Sequence, residues 1–124
     1  MIRRHTSLLA ALLAACAIGS TGAAAQNGPA HHHHHFAPDI EAFHGVLAPL
    51  WHAPHGTARN ADTCRQADRM IELAQAIRSV DAGRLQTSLG ALKERCTTSK
   101  SGIETAFHEV HEEFHRLLEA GAGT

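Results

Sequence analysis

The chain has 124 residues, of which 44% are hydrophobic and 19% charged, and its 11 Lys and Arg nearly balance 12 Asp and Glu. A near-neutral charge without a basic patch, together with no tyrosine and one tryptophan, argues against a nucleic-acid-binding protein. The length indicates one domain with a small core. The 12 histidines are the feature that most restricts function.

The N-terminus is typical of an export signal. Arg3 and Arg4 precede an apolar run over residues 8–18, which ends before an Ala-x-Ala pattern at residues 23–25. A positive start, a short apolar stretch and small residues at the end are the three parts of a secretory signal peptide. We therefore predict a signal peptide over residues 1–25. Its apolar run is too short to span a bilayer, which takes about 20 residues.

A second interpretation of the same segment is a lipoprotein signal. Residues 13–16, Leu-Ala-Ala-Cys, resemble a bacterial lipobox, in which Cys16 would become the lipidated first residue and a lipid anchor. Soluble export and lipid anchoring both place the protein outside the cytoplasm, in a bacterial periplasm. No later segment is apolar enough to cross a membrane. Loss of Arg3 and Arg4 leaves nine basic residues against twelve acidic ones, a net charge of −3.

Export clarifies the role of the cysteines. Cys16 is lost with the signal or modified by lipid, so Cys64 and Cys96 remain, and they are expected to pair in an oxidising compartment. A loop of this length contributes roughly 3–4 kcal/mol, which matters for a core this small. Two unpaired buried thiols are the alternative. Thiolate metal ligation is disfavoured because neither cysteine belongs to a CxxC pair.

Residues 26–36 are predicted to form a disordered His-rich tail, because their Gly, Pro and polar residues and the histidines at 31–35 cannot build a core. Five consecutive histidines suggest either a native metal-collecting tract or an artificial tag. Their position, after an intact signal and before the domain, favours the native tract.

Residues 37–120 are predicted to form an all-α domain, a small up-down-up-down four-helix bundle. Helix 1 starts at Pro38, which suits a first helical turn. Pro49 is expected to kink or interrupt it before Pro54 ends the segment. Its apolar positions have helical spacing and comprise Ile40, Phe43, Leu47, Leu50 and Trp51.

Helices 2 and 3 are predicted to form an antiparallel hairpin. Helix 2 starts near Asn60 or Asp62 and runs to about Val80, and residues 81–83 make a tight connection. The hairpin brings the start of helix 2 and the end of helix 3 together, which agrees with a disulfide between their cysteines. The inward positions are Cys64, Ala67, Ile71, Ala74 and either Ile77 or Arg78 in helix 2, and Leu85, Leu89, Leu92 and Cys96 in helix 3.

Helix 4 is predicted to begin at a capping box over residues 101–104, Ser-Gly-Ile-Glu, and to end near Glu119. Its apolar residues recur at heptad-like spacing, which turns one face towards the core. These residues are Ile103, Phe107, Val110, Phe114 and Leu117. No stretch alternates with period two for long enough to indicate a strand.

Three histidines of helix 4, His108, His111 and His115, lie at i, i+3 and i+7, so their imidazoles form one stripe. On a helical wheel this stripe borders the apolar face, where it can meet a neighbouring helix. The Phe43-His44 pair of helix 1 matches the Phe107-His108 pair of helix 4. Because helices 1 and 4 are antiparallel neighbours in such a bundle, His44 is expected to approach helix 4.

Imidazole is the commonest protein ligand for transition metals. His111 and His115 lie one turn apart and are the better chelating pair, because about 10 Å of helix rise separates His108 from His115. We predict a site of this pair with His44, completed by a carboxylate or water. His108 and Glu112 have the same i, i+4 spacing and allow a second site. The competing interpretation is a solvated helix face with incidental histidines. The full predicted ligand set is His44, His52, His55, His108, His111, Glu112 and His115.

Imidazole with some carboxylate suits divalent Cu, Zn, Ni or Co. We therefore predict a non-enzymatic periplasmic protein that captures, buffers or delivers such an ion, with a metal transporter, an acceptor protein or a second copy as partner. A bundle holding b-type haem between histidines is one alternative, and a pH-sensing interaction module is another. A di-metal carboxylate enzyme is disfavoured, because Glu72 and Glu94 point away from the apolar faces.

Overall fold

The computed structural model describes residues 35–123, and this part of the chain consists of four helices joined by short loops, without a strand. The predicted signal peptide and residues 26–34 of the predicted tail lie outside the described residues. The all-α class and the four-helix bundle are confirmed. The helices are α1 (Pro38–His52), α2 (Thr57–Ala76), α3 (Gly83–Thr97) and α4 (Ile103–Ala122).

Contacts at the helix ends show that α2 runs antiparallel to α1, and that α3 runs antiparallel to α2. The Asp39 carboxylate, at the start of α1, accepts hydrogen bonds from residues that follow α2. The predicted disulfide is confirmed: Cys64 near the start of α2 bonds to Cys96 near the end of α3, with Cα atoms 5.6 Å apart. The backbones of α3 and α4 pack closely, whereas α1 and α4 meet mainly through aromatic side chains.

The core is the set of apolar residues that point between the four helices. The predicted inward positions of helices 1 and 4 are buried, apart from Trp51, which is half-buried. The leucines of α3 are fully buried and Cys96 is half-buried. Burial of each such leucine or phenylalanine contributes roughly 1.5–3 kcal/mol. The core residues from these three helices are Ile40, Phe43, Leu47, Leu50, Leu85, Leu89, Leu92, Ile103, Phe107, Val110, Phe114 and Leu117.

The buried face of α2 differs from the predicted one. Thr63 and Met70 are fully buried, while Cys64 and Ile71 are half-buried at its edge. Arg59 and Thr63 lie on the buried side of α2 but are polar, so a search for apolar residues does not identify them. The predicted buried face was therefore turned towards Ile71. The residues of the observed buried face are Arg59, Thr63, Ala67, Met70, Ala74 and, just after the helix, Ile77.

The predicted ends of helix 2 were also wrong. The helix starts at Thr57, before Asn60, and it ends at Ala76 rather than Val80. Ile77 is extended, with φ −65° and ψ 125°. The amides of the two residues after it donate to Asp39 Oδ2, at 2.7 and 2.9 Å, and not to helical carbonyls. A tertiary carboxylate therefore ends the helix.

The first helix continues through Pro49, which corrects the expected interruption. Proline leaves the carbonyl four residues earlier, here that of Gly45, without its helical donor. Gly45 and Pro49 both lie on the exposed side of α1, where water can bond the freed carbonyl. The helix therefore reaches His52 and carries Trp51 to the start of α4.

The predicted capping box does not form at the start of α4. The N-cap is Gly102, in the left-handed region at φ 70°, and no side chain caps the helix. The Glu104 carboxylate, which would complete the box, instead bonds Arg59 and His55. A glycine suits this position because the left-handed conformation is strained for other residues.

Asp39 links α1 to the chain that follows α2. The backbone N–H groups of Arg78 and Ser79, joined by the Ser79 hydroxyl, hold the pKa of this carboxyl well below its usual range. A carboxyl whose pKa is lower in the folded state than in the unfolded state stabilises the protein at pH values above the unfolded-state pKa. This contribution is lost as the pH falls towards the folded-state pKa.

We therefore expect Asp39→Asn to destabilise the protein at pH 7, with a difference from wild type that shrinks below about pH 4. Urea unfolding at several pH values measures this. Asp68→Asn, which removes an exposed carboxylate paired with Lys93, is the matched control. An Asp39→Asn deficit that stays constant down to pH 2 would contradict the assigned cause.

Candidate functional site

Two imidazoles of α4 meet in the free protein. The Nε2 atoms of His111 and His115 lie 3.2 Å apart, with ring centroids separated by 4.4 Å. The residues are one turn apart on an amphipathic helix, which places both rings beside the buried face. His111 is half-buried, with 17% of its side chain exposed, whereas His115 is exposed. This is the chelating pair predicted from spacing.

Trp51, near the end of α1, covers one face of His111, the inner member of this pair. Its ring stacks on the His111 ring with centroids 3.5 Å apart and planes 5° from parallel. The same indole lies 5.7 Å from His108 and 5.8 Å from Phe107. The stack restrains the orientation of His111, because rotation of the imidazole out of its plane would break the contact.

A groove between α1 and α4 places further histidines beside the pair. His44 stacks on Phe114 with centroids 5.8 Å apart, and Phe114 lies 6.4 Å from His115. The groove encloses a cavity of about 370 Å³. Its walls combine imidazoles from both helices with apolar rings, and they include His44, Trp51, His52, His111, Phe114 and His115.

Phe36, the last residue of the predicted tail, is half-buried at this groove. Its ring makes edge contacts with His44 at 5.2 Å and with Phe114 at 6.3 Å. The chain therefore enters the domain beside the candidate ligands. His35, which precedes it, is exposed.

The environment of His111 favours a neutral ring. Burial lowers the pKa of His111, and the nearby His115 and His108 lower it further, while Glu112 acts in the opposite direction. Its Nδ1 atom is buried without a hydrogen-bond partner. A neutral imidazole has a nitrogen lone pair that can bind a metal ion, so this ring can act as a ligand at neutral pH.

The remaining predicted ligands lie in other surroundings. His55 Nδ1 is 2.6 Å from Glu104 Oε1 at the start of α4, and the ring is exposed. His108 is exposed beyond Trp51, and Glu112 Oε1 lies 3.9 Å from His111 Nδ1. Within residues 35–123, no three His, Cys, Asp or Glu side chains already converge as a metal-binding group. The structure thus brings two imidazoles together and places two more along the same groove.

Sequence reasoning missed Arg59, which is only 2% exposed and packs against Trp51. Its Nη1 donates to the carbonyls of Trp51 and Ala53, and its Nη2 donates to Glu104 Oε1 at 2.6 Å. The guanidinium lies 5.4 Å from the Trp51 ring centroid and 5.5 Å from that of Phe107. No local pattern marks this residue, because its partners are distant in the chain.

Comparison of this chain with protein-family models, characterised proteins and solved structures finds no match. Along residues 35–123, no helix is long and apolar enough to cross a membrane.

Proposed function

We propose that this protein binds a divalent transition-metal ion, Cu, Zn, Ni or Co, through histidines of α1 and α4. The observation that carries the proposal is the 3.2 Å separation of the His111 and His115 Nε2 atoms. Metal–imidazole bonds are about 2.0–2.1 Å long, so two nitrogens at this separation subtend an angle of about 100° at one ion. That angle lies between the values of square-planar and tetrahedral coordination, which these ions adopt.

His44 and His52 are the protein groups that we expect to complete the coordination. Both line the groove that contains the His111–His115 pair, and both lie on the opposite helix. A rotation of these side chains is needed, since three ligands do not yet meet. Trp51 covers a face of His111, and Phe114 lies 6.4 Å from His115. Apolar neighbours of this kind lower the local dielectric constant, which strengthens the interaction of an ion with its ligands.

In the cell, we propose a role in capture, buffering or delivery of the ion in the periplasm after export. The histidines at 31–35 would collect ions weakly, and the groove would hold them. The partners that this role implies are a metal transporter or an acceptor protein, and a second copy of the chain would supply further ligands. A lipid anchor at Cys16 is the alternative to soluble export.

Calorimetric titration tests the folded site apart from the tract. The background is the mature chain with the histidines at 31–35 replaced by serine, titrated with each of the four ions. We expect a Kd tighter than about 10 μM, or about −7 kcal/mol, for at least one ion. His115→Ala should weaken binding at least tenfold, about 1.4 kcal/mol.

His55→Ala is the matched control, because His55 is an exposed histidine outside the groove. It should leave the Kd within about twofold, or about 0.4 kcal/mol. Trp51, the single tryptophan, stacks on His111 and provides a second readout, since Cu²⁺ bound there should quench its fluorescence. An absence of binding in the background, or an equal loss in the two histidine variants, would refute the proposal.

Haem is the second candidate ligand, because apolar rings and histidines from two facing helices line one groove. Bundle proteins hold haem between such imidazoles. The cavity of about 370 Å³ is at the small end for ligand sites, and Trp51 would have to leave His111. Titration with hemin separates the candidates: a Soret shift lost in His44→Ala would favour haem over a bare ion.

A further inference from the structure

We propose that Glu112 is a positioning residue of the metal site: it accepts a hydrogen bond from His111 Nδ1 when the Nε2 atom of that ring binds the ion. The inference rests on the proposed function above. It gives Glu112 a role different from the direct ligation expected from the sequence. Three features of the His111 surroundings support it.

The first feature is a buried nitrogen without a partner. His111 Nδ1 is shielded from solvent and makes no hydrogen bond, while Nε2 faces His115 at 3.2 Å. A neutral imidazole that ligates through Nε2 carries its proton on Nδ1. Metal binding through Nε2 therefore places an N–H donor at a buried position that has no acceptor. An unpaired buried donor costs free energy and weakens metal binding, unless an acceptor comes within hydrogen-bond distance.

The second feature is the carboxylate nearest to that nitrogen. Glu112 Oε1 lies 3.9 Å from His111 Nδ1, and 45% of the Glu112 side chain is exposed. An approach of about 1 Å would bring the two atoms to hydrogen-bond distance. The neighbouring Glu113 is already engaged, because it forms ion pairs with Arg84 and Arg116.

The third feature is the Trp51 stack. The indole covers a face of His111 with centroids 3.5 Å apart. Because the Nδ1–H bond lies in the plane of the imidazole, the stacked indole does not occupy the ring edge at which an acceptor approaches. Trp51 would restrain the ring plane and Glu112 its rotation within that plane. Carboxylates bonded to ligand histidines orient the ring and raise its basicity, and their loss typically weakens metal affinity by about 10–100-fold.

The test is titration with Zn²⁺ of the mature chain carrying serine at 31–35, compared with Glu112→Ala and Glu112→Gln in the same background. Glu109→Ala is the control, because it removes an equal charge from an exposed position on α4. We expect Glu112→Ala to weaken Zn²⁺ binding about 10–100-fold. Glu112→Gln should lose less, because its amide oxygen still accepts a hydrogen bond, and Glu109→Ala should match the background.

Nitrogen-15 NMR of the Zn²⁺-loaded protein provides a readout that a stability change would not move. A slowly exchanging His111 Nδ1–H signal should appear in the background, persist in Glu112→Gln and exchange rapidly in Glu112→Ala. Equal affinities of the background and Glu112→Ala would overturn the inference. Equal losses in both Glu112 variants with an unchanged Nδ1–H signal would assign direct ligation instead. A background that binds no Zn²⁺ or other ion would refute the proposed function itself.

Discussion

Arg59→Ala is expected to lower the free energy of unfolding by about 2–4 kcal/mol, from lost packing and lost hydrogen bonds. The side chain is only 2% exposed, so its removal opens a cavity between the Trp51 and Phe107 rings. It also frees the carbonyls of Trp51 and Ala53, which end α1. Glu104 limits the effect, because this partner is 42% exposed and can regain water.

Two variants separate these causes, with urea unfolding as the measurement. Arg59→Met retains most of the volume and should recover part of the loss if packing dominates. Arg65→Ala removes an arginine of the same helix whose side chain is 69% exposed and pairs with Asp62. This control should change stability by less than about 1 kcal/mol. Similar losses in Arg59→Ala and Arg65→Ala would show that the buried guanidinium is not a structural anchor.

Arg59→Ala should also affect the candidate metal site. Arg59 holds the Trp51 carbonyl, and Trp51 stacks on His111. Greater mobility of the indole would release the imidazole that it restrains. Metal affinity measured well below the melting temperature therefore shows whether the Arg59 contacts support the site.

Loss of the Cys64–Cys96 disulfide is expected to cost about 3–4 kcal/mol, from the chain entropy of a closed loop of this size. The bond joins positions 32 residues apart, across the open end of the α2–α3 hairpin. Domains as small as this one are typically stable by about 5–15 kcal/mol, so the loss is a large share of the total. The paired cysteines are only half-buried, so a reductant can reach the bond.

Urea unfolding with and without dithiothreitol, on wild type and on the variant with both cysteines changed to alanine, measures this contribution. The reductant should lower the midpoint of the wild type to near that of the double variant, and it should leave the double variant unchanged. A difference under about 1 kcal/mol would mean that residual structure in the unfolded chain already holds these ends together.

Spacing along the chain was sufficient to predict much of the fold. The heptad-like apolar residues of α4 and the leucines of α3 lie in the core as expected. The close approach of His111 and His115 follows directly from their i, i+4 spacing, because helix geometry alone places them on one face. The disulfide was predictable because Cys64 and Cys96 are the two cysteines outside the predicted signal peptide, and the antiparallel hairpin brings both to the same end.

Contacts between distant residues could not be predicted in this way. The end of α2 depends on Asp39, a carboxylate from another helix whose bonds to backbone N–H groups replace helical ones. Glu104 matched a local capping pattern but is drawn instead to Arg59 and His55. Rules based on neighbouring residues fail at these positions, because the hydrogen-bond partners that form in the folded protein lie far away in the sequence.

The sequence by itself determined the helical class, the cysteine pair and the histidine stripe of α4. The helices and the stripe follow from the spacing of residues, and the pair follows from the two cysteines outside the predicted export signal. Only the tertiary structure decided which histidines share a groove. It stacks Trp51 on His111, lines that groove with His44 and His52, and pairs His55 with Glu104 outside it. The physical reason is that side-chain packing between α1 and α4 depends on the distance and rotation of two helices, which no local pattern encodes.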